Sequence, residues 1–382
     1  MPQKNKSKND NPKAFKHWIN EDLLQRMADS IKNVHAEFNL KEFVKVGKKL
    51  EPLEMKARVQ LIREQLYLQL PRDYDLALNI LIQSCDLGKL KGFDLWPYTE
   101  FIQTYGLNHS EKSLLALARI TTLFTGEFAV RPFLKNNTKQ TLAYLMKCTE
   151  DKNVHIRRWV SEGTRPRLPW GERLHIFIQN PNLTLSLLEI LKHDEEIYVR
   201  KSVANHLNDI AKDHPQLVVA TLSKWKTSAT KEHAAKINWI IHRSLRTLIK
   251  NGNPQALKLI GVSQNINILV NSIKINKRTF RLGERLELKF KVTSKSTAKQ
   301  NLVIDYLIHF AKANNKISKK VFKLKKFTLS GRNKIEISKI HHLKPITTRT
   351  YYSGKHFIEL QINGKPFGKI PFNLHVQKAR RS

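Results

Sequence analysis

Acidic residues are scarce in this chain of 382 residues: 32 Asp and Glu stand against 68 Lys and Arg, a formal net charge of +36. So positive a surface binds polyanions through counterion release, whatever else it does. Cysteine is nearly absent. Cys85 and Cys148 alone exclude a disulfide framework and a multi-cysteine zinc site, and they fit a reducing cytoplasm. No apolar run approaches the roughly 20 residues that span a bilayer, so no membrane partner is expected. Residues 1–11 are polar and lack the apolar stretch of a secretory signal, which again points to the cytoplasm. There is no phosphate-cradling glycine loop and no dinucleotide fingerprint. Histidines number 15, yet none are paired at convincing metal-ligand spacing: His341 and His342 are adjacent, and His206 and His214 lie eight apart. Neither metal nor cofactor is expected. Apolar residues are in good supply. A hydrophobic fraction of 41%, with 17 Phe and 6 Trp, excludes wholesale disorder, and the length suggests two or three domains.

The periodicity divides the chain into a multidomain protein. Residues 1–12 have no apolar face and read as a flexible basic arm. Over 13–263 apolar residues recur at three- and four-residue spacing, predicting helices over 55–70, 75–85, 112–124 and 217–225. Pro215 and Pro254 fit first-turn positions. The stretch from Asp151 to Val160 aligns with that from Asp194 to Val203 at an offset of 43, and a weaker copy surrounds Arg243. That period is characteristic of HEAT-like helix pairs, which stack into an all-α solenoid with a concave face. Arg158, Lys201 and Arg243 share one column of the alignment. Such a column suits a phosphate backbone, or its members cap the acidic loops around Asp151 and Asp194.

From residue 264 the period becomes two, predicting strands over 271–275, 285–293, 300–311, 319–329, 334–340, 354–362 and 369–376. Seven short strands suggest an all-β immunoglobulin-like sandwich over 264–382, with a two-residue hairpin turn at Asn363-Gly364. This segment holds 27 Lys and Arg against 5 Asp and Glu, a net of +22, and leaves +14 for the remainder. Its outward lysines, among them Lys289, Lys291, Lys319, Lys323 and Lys325, exceed what protection of sheet edges requires.

Chemistry concentrates in RRWVSEGTRPRLPWG, residues 157–171, where Gly163, Pro166 and Pro169 interrupt a helix that the next copy continues. A departure from a repeat's own rule is a place to look for function. Glu162 stands there among Arg157, Arg158, Arg165 and Arg167, with Trp170 on a proline-gated turn. It is either a reactive carboxylate or simply an arginine's partner. Glu127 lies 35 residues upstream, about one repeat, and is either on the same face or a solvated helix end. Asp209, with Asn205, occupies the equivalent face of the next copy, or forms a surface polar pair. Carboxylates beside an indole suit hydrolysis of an N-glycosidic bond. An anion stabilises the oxocarbenium-like transition state, and a base that is already cationic needs no general acid to leave.

Together with GEFAVRPFL (126–134), YVRKSVANHLNDIAKDHP (198–215) and WIIHRSLRTLIKNG (239–252), the block at 157–171 resembles the AlkC branch of the AlkC/AlkD HEAT-like-repeat DNA glycosylases over about residues 15–262. Some members carry a C-terminal immunoglobulin-like domain. The resemblance implies a monofunctional enzyme that excises N3-alkylated bases, 3-methyladenine and then 3-methylcytosine, from duplex DNA. It implies a monomer using water, with neither metal nor lysine intermediate, that bends the duplex and needs no base-flipping pocket. It makes Glu162 and Glu127 the catalytic carboxylates, with Trp170 beside the lesion and Asp209 as a further member. Arg131, Arg157, Arg158, Arg165, Arg167, Arg200, Lys201 and Arg243 become DNA contacts, and the sandwich a DNA clamp. The AlkD pairing of two tryptophans with an aspartate is not reproduced. The competing reading is a non-catalytic HEAT-repeat scaffold that binds nucleic acid; a weaker one is an adaptor for an acidic protein.

Overall fold

The computed structural model describes residues 15–313, 316–347 and 349–376; the basic arm expected over 1–12 lies outside them. Among the described residues, sixteen α-helices from Glu21 to Leu259 precede eight strands from Ile268 to His375. The helical array followed by a β-sandwich is the architecture expected from the change of period. The two compact units are Met1–Ile210 and Ala211–Ser382, so the last helices pack with the strands.

In the first unit the apolar faces meet as the sequence spacing requires. The helix Met55–Gln69 lies within the predicted range. Asp73 starts the helix Tyr74–Asp86 by accepting the Leu76 N–H, and Asn153 starts Val154–Gly163 through the His155 N–H. Such caps contribute about 1 kcal/mol each. Val154–Gly163 packs against Asn182–Leu191 and Ile197–Ile210. Trp159, Val160, Val203 and Leu207 are wholly buried there, each contributing about 1.5–3 kcal/mol. The 43-residue offset reappears as geometry. Arg157 Nη1 donates to the carbonyls of Asp151 and Lys152 at 2.9 and 3.0 Å, and Arg200 Nη1 donates to those of Asp194 and Glu195 at 2.5 and 2.7 Å.

In the second unit, Pro215–Thr227 and Pro254–Leu259 begin on their prolines, and Asn253 caps the latter. The strands are β1 (Ile268–Ile275), β2 (Thr279–Arg281), β3 (Arg285–Ser294), β4 (Gln300–Ala311), β5 (Ile317–Leu329), β6 (Lys334–His342), β7 (Gly354–Ile362) and β8 (Lys365–His375). One sheet runs β1-β3-β6 and the other β2-β8-β7-β4-β5, antiparallel except for β2 beside β8. Their inner faces enclose Phe290, Leu302, Tyr306, Ile358 and Phe372. The three-residue β2 escapes sequence reading because it is too short to alternate. Asn363 (φ 47°) and Gly364 (φ 78°) form the predicted tight hairpin turn, in which both central residues need positive φ. That turn also seats the last helices. A Cβ on Gly364 would stand 2.5 Å from the Cα of Gly252, and Asn363 Nδ2 donates to Ser263 O at 2.6 Å.

Candidate active site

The segment 163–174 departs from the helical repeat because its residues require it. Gly163 ends its helix against Val130, whose Cγ1 would lie 2.6 Å from any added Cβ. Beyond it, Arg131 supplies the hydrogen bonds that a continuing helix would have made. Its guanidinium is 1% exposed and donates to Gly163 O at 2.8 Å, to Arg165 O at 2.9 Å and to Glu172 O at 2.9 Å through Nε. Burial pulls it down to about 10, which leaves it cationic near neutrality. Arg131 is thus an internal staple: its sequence expectation as a DNA contact meets a side chain with no exposed face.

The staple presents two things, a turn and a row of carboxylates. Gly171 N donates to Leu168 O at 3.1 Å across Pro169 and Trp170. Trp170 has φ 65° and is 79% exposed. This is the geometry of a type II turn, whose third residue is ordinarily glycine. An exposed indole held in the left-handed region costs about 1–2 kcal/mol. We therefore expect Trp170→Gly to raise the melting temperature while lowering activity on any substrate the indole contacts. A denaturation curve beside an activity assay checks this, and a less stable variant would remove the strain.

The carboxylates alternate with guanidiniums. Arg158 Nη1 meets Glu127 Oε2 at 2.5 Å and Arg158 Nη2 lies 3.6 Å from Glu162 Oε1. Arg165 Nη1 meets the same Glu162 oxygen at 2.6 Å, and Arg165 Nε meets Asp209 Oδ2 at 2.8 Å. Glu127, Glu162 and Asp209 are 9, 6 and 2% exposed. Three carboxylates alternate with two guanidiniums in a mostly dry row, and Arg131 beneath interacts with Glu127 and Asp209. Buried charges persist only with such pairing and hydrogen bonding.

Residues that sequence reading passed over complete the row. Ser202 Oγ donates to Glu162 Oε2 at 2.6 Å and accepts from Ser161 at 2.7 Å. Thr125 Oγ1 donates to Glu127 Oε2 at 3.0 Å. His206 Nδ1 lies 3.0 Å from Ser161 O and Nε2 lies 3.2 Å from Thr184 Oγ1; burial pushes its pKa down to about 4, so it stays neutral near pH 7. Ser202 and His206 stand at i and i+4 of one helix, the spacing that could have singled them out.

The structure brings Glu127, Glu162, Asp209, Arg158 and Arg165 together, with Arg131 beneath. Arg165 is 6% exposed and tied internally between two carboxylates. Arg157 pairs with Asp194 at 2.6 Å, and Arg157 and Arg200 hold the acidic loops, a role the sequence had left open for Arg158, Lys201 and Arg243 instead. Arg167 is half-buried and Lys201 exposed. Arg243 lies in the second unit, over the Trp239 ring at 5.6 Å. Among the described residues no cluster of His, Cys, Asp and Glu could hold a metal, and no helix is long and apolar enough to cross a membrane.

Comparison with known proteins extends this geometry. The family described as "Uncharacterised protein YhaZ, C-terminal Ig-like domain" matches residues 269–376. "Uncharacterized protein YhaZ" of Bacillus subtilis (strain 168) is 35% identical over 363 residues, 94% of this chain and 99% of that protein. The Pseudomonas fluorescens alkylpurine DNA glycosylase AlkC, solved bound to DNA containing an abasic site analog, superposes with a TM-score of 0.88 at 36% identity, covering 95% of this chain and 99% of that one. Matched over nearly the whole length of both relatives, helical array and C-terminal domain included, the chain belongs to the AlkC family.

Proposed function

We propose that the protein is a DNA-repair glycosylase that hydrolyses the N-glycosidic bond of cationic N3-alkylated bases in duplex DNA, chiefly 3-methyladenine and secondarily 3-methylcytosine. The observation that carries this reading is the row of three buried carboxylates, with an exposed, strained Trp170 on the turn that follows Glu162 in the chain. Kinship with AlkC, an alkylpurine DNA glycosylase by name, supports it.

The chemistry follows from charge. An N3-alkylated base is already cationic, so it departs with the electron pair of the C1′–N bond and leaves as a neutral molecule. The positive charge passes to the sugar, where Glu162 and Glu127 stabilise it at close range in a poorly solvated site. One of the carboxylates positions the attacking water and takes its proton; Glu127, with Thr125 beside it at 3.0 Å, is suited to this. Arg158 is the exchangeable partner. Its side chain is 17% exposed and shared between Glu127 and Glu162. A phosphate that draws it away leaves both carboxylates less compensated as the sugar cation forms. Arg165, held between Glu162 and Asp209, keeps the row in place. Trp170 offers an electron-rich face to the cationic base. The reaction runs by water alone, without a lysine intermediate. Exposed lysines of β5, Lys319, Lys323 and Lys325, supply sequence-independent phosphate attraction as part of a DNA clamp.

The test is product analysis. Duplex DNA methylated with dimethyl sulfate is incubated with the protein, and free 3-methyladenine is measured. Saturable release is expected. Binding without release leaves the scaffold reading in its place.

A further inference from the structure

The helices Val154–Gly163 and Ile197–Ile210 meet through a polar strip as well as an apolar one. Tyr198, Ser202 and His206 follow one another at four-residue spacing, so they share one face of their helix. Each engages a different part of the opposing helix. The Tyr198 ring lies 5.2 Å from the Arg158 guanidinium, within cation–π reach. Ser202 Oγ stands 2.6 Å from Glu162 Oε2. His206 Nδ1 lies 3.0 Å from Ser161 O. Ser161, Ser202 and His206 are 0, 2 and 0% exposed, so water does not compete for these contacts. Three contacts along one stripe fix the register of the two helices, and the middle one falls on a carboxylate of the row.

The partners set the direction of the hydroxyl protons. An ionised carboxylate only accepts, so Ser202 donates to Glu162, and its oxygen accepts in turn from Ser161 at 2.7 Å. Ser202 thereby commits Oε2 of Glu162, while Oε1 faces Arg165 at 2.6 Å and Arg158 at 3.6 Å. An arginine and a carboxylate left to themselves favour a two-point fork, in which both oxygens meet the guanidinium. Such a fork would tie the Glu162 charge most fully to an arginine and leave least of its field for a cation forming nearby. We infer that Ser202 is a positioning residue of the glycosylase: its hydroxyl holds Glu162 in one-point contact with Arg165 and so keeps the carboxylate's charge available to the sugar cation. The inference rests on the glycosylase reading and adds to it a group that acts through Glu162 rather than on the substrate.

Ser202→Ala removes the donor and little else. Single-turnover release of 3-methyladenine from methylated duplex should fall about 10-fold or more, the scale of one lost hydrogen bond to a charged group. The dissociation constant for the duplex should stay that of the parent. The decisive comparison is made in the background of Glu162→Gln. A serine that acts only by holding a carboxylate has no charge to hold there, so adding Ser202→Ala should cost little further rate. A merely structural serine would slow release by the same factor in both backgrounds, or would weaken DNA binding, and either result overturns the inference. Undiminished release by Ser202→Ala also overturns it, and leaves the glycosylase reading standing. A parent protein that binds methylated duplex and releases no base removes that reading, and the role of Ser202 with it.

Discussion

Glu162→Gln should lower base release from methylated duplex by at least about 100-fold, the scale of losing one preorganised electrostatic contact to a transition state. DNA affinity should hardly change. The substitution keeps the shape of the side chain and its acceptor oxygen toward Arg165 or Ser202. It removes one of the three negative charges of the row of Glu127, Glu162 and Asp209. The sugar would then develop positive charge beside a row with one anion fewer. Single-turnover release, measured with protein in excess, separates this from weaker binding. Undiminished release by the variant would take Glu162 out of the mechanism and move the weight to Glu127. A parallel loss of binding and release would mark Glu162 as structural.

Arg131→Met should unfold the site rather than weaken DNA contact. Methionine fills most of the volume but donates nothing, so the carbonyls of Gly163, Arg165 and Glu172 lose their donor in a buried place. Each unsatisfied group costs about 1–3 kcal/mol. A total loss of about 3 kcal/mol or more, near 10 °C in Tm, is the expected result. The turn bearing Trp170 should loosen with it, seen as faster amide exchange over residues 163–174. Had Arg131 been a phosphate contact, the variant would keep its Tm and show a shallower dependence of binding on salt. That second outcome would return Arg131 to the DNA interface.

These two variants mark where sequence reading stops. Glu162 could be singled out because the chain breaks its own 43-residue repeat around it. Glu127 followed at about one repeat's distance, and Asp209 from the next copy. Periodicity alone also set the turn from helix to strand and placed Asn363-Gly364 in its hairpin. The arginines were less legible. A guanidinium that pairs with a carboxylate and one that reaches a carbonyl look alike in the sequence, and only three-dimensional packing tells Arg158 from Arg131 or Arg157. Ser202 carried only the weak signal of its four-residue spacing to His206, and Thr125 carried none, since single hydroxyls are common.

By itself the sequence determined a basic helical array followed by a sandwich, because periods of 3.6 and 2 are local consequences of backbone geometry. It also determined the scarcity of acid that makes each buried carboxylate informative. Tertiary structure alone decided which charges neutralise one another and which arginine is a staple. Those properties depend on burial and on distances of a few ångströms between residues far apart in the chain, 44 positions for Arg165 and Asp209. Desolvation and close pairing set the energy of a charge, and neither is a property of the chain before it folds.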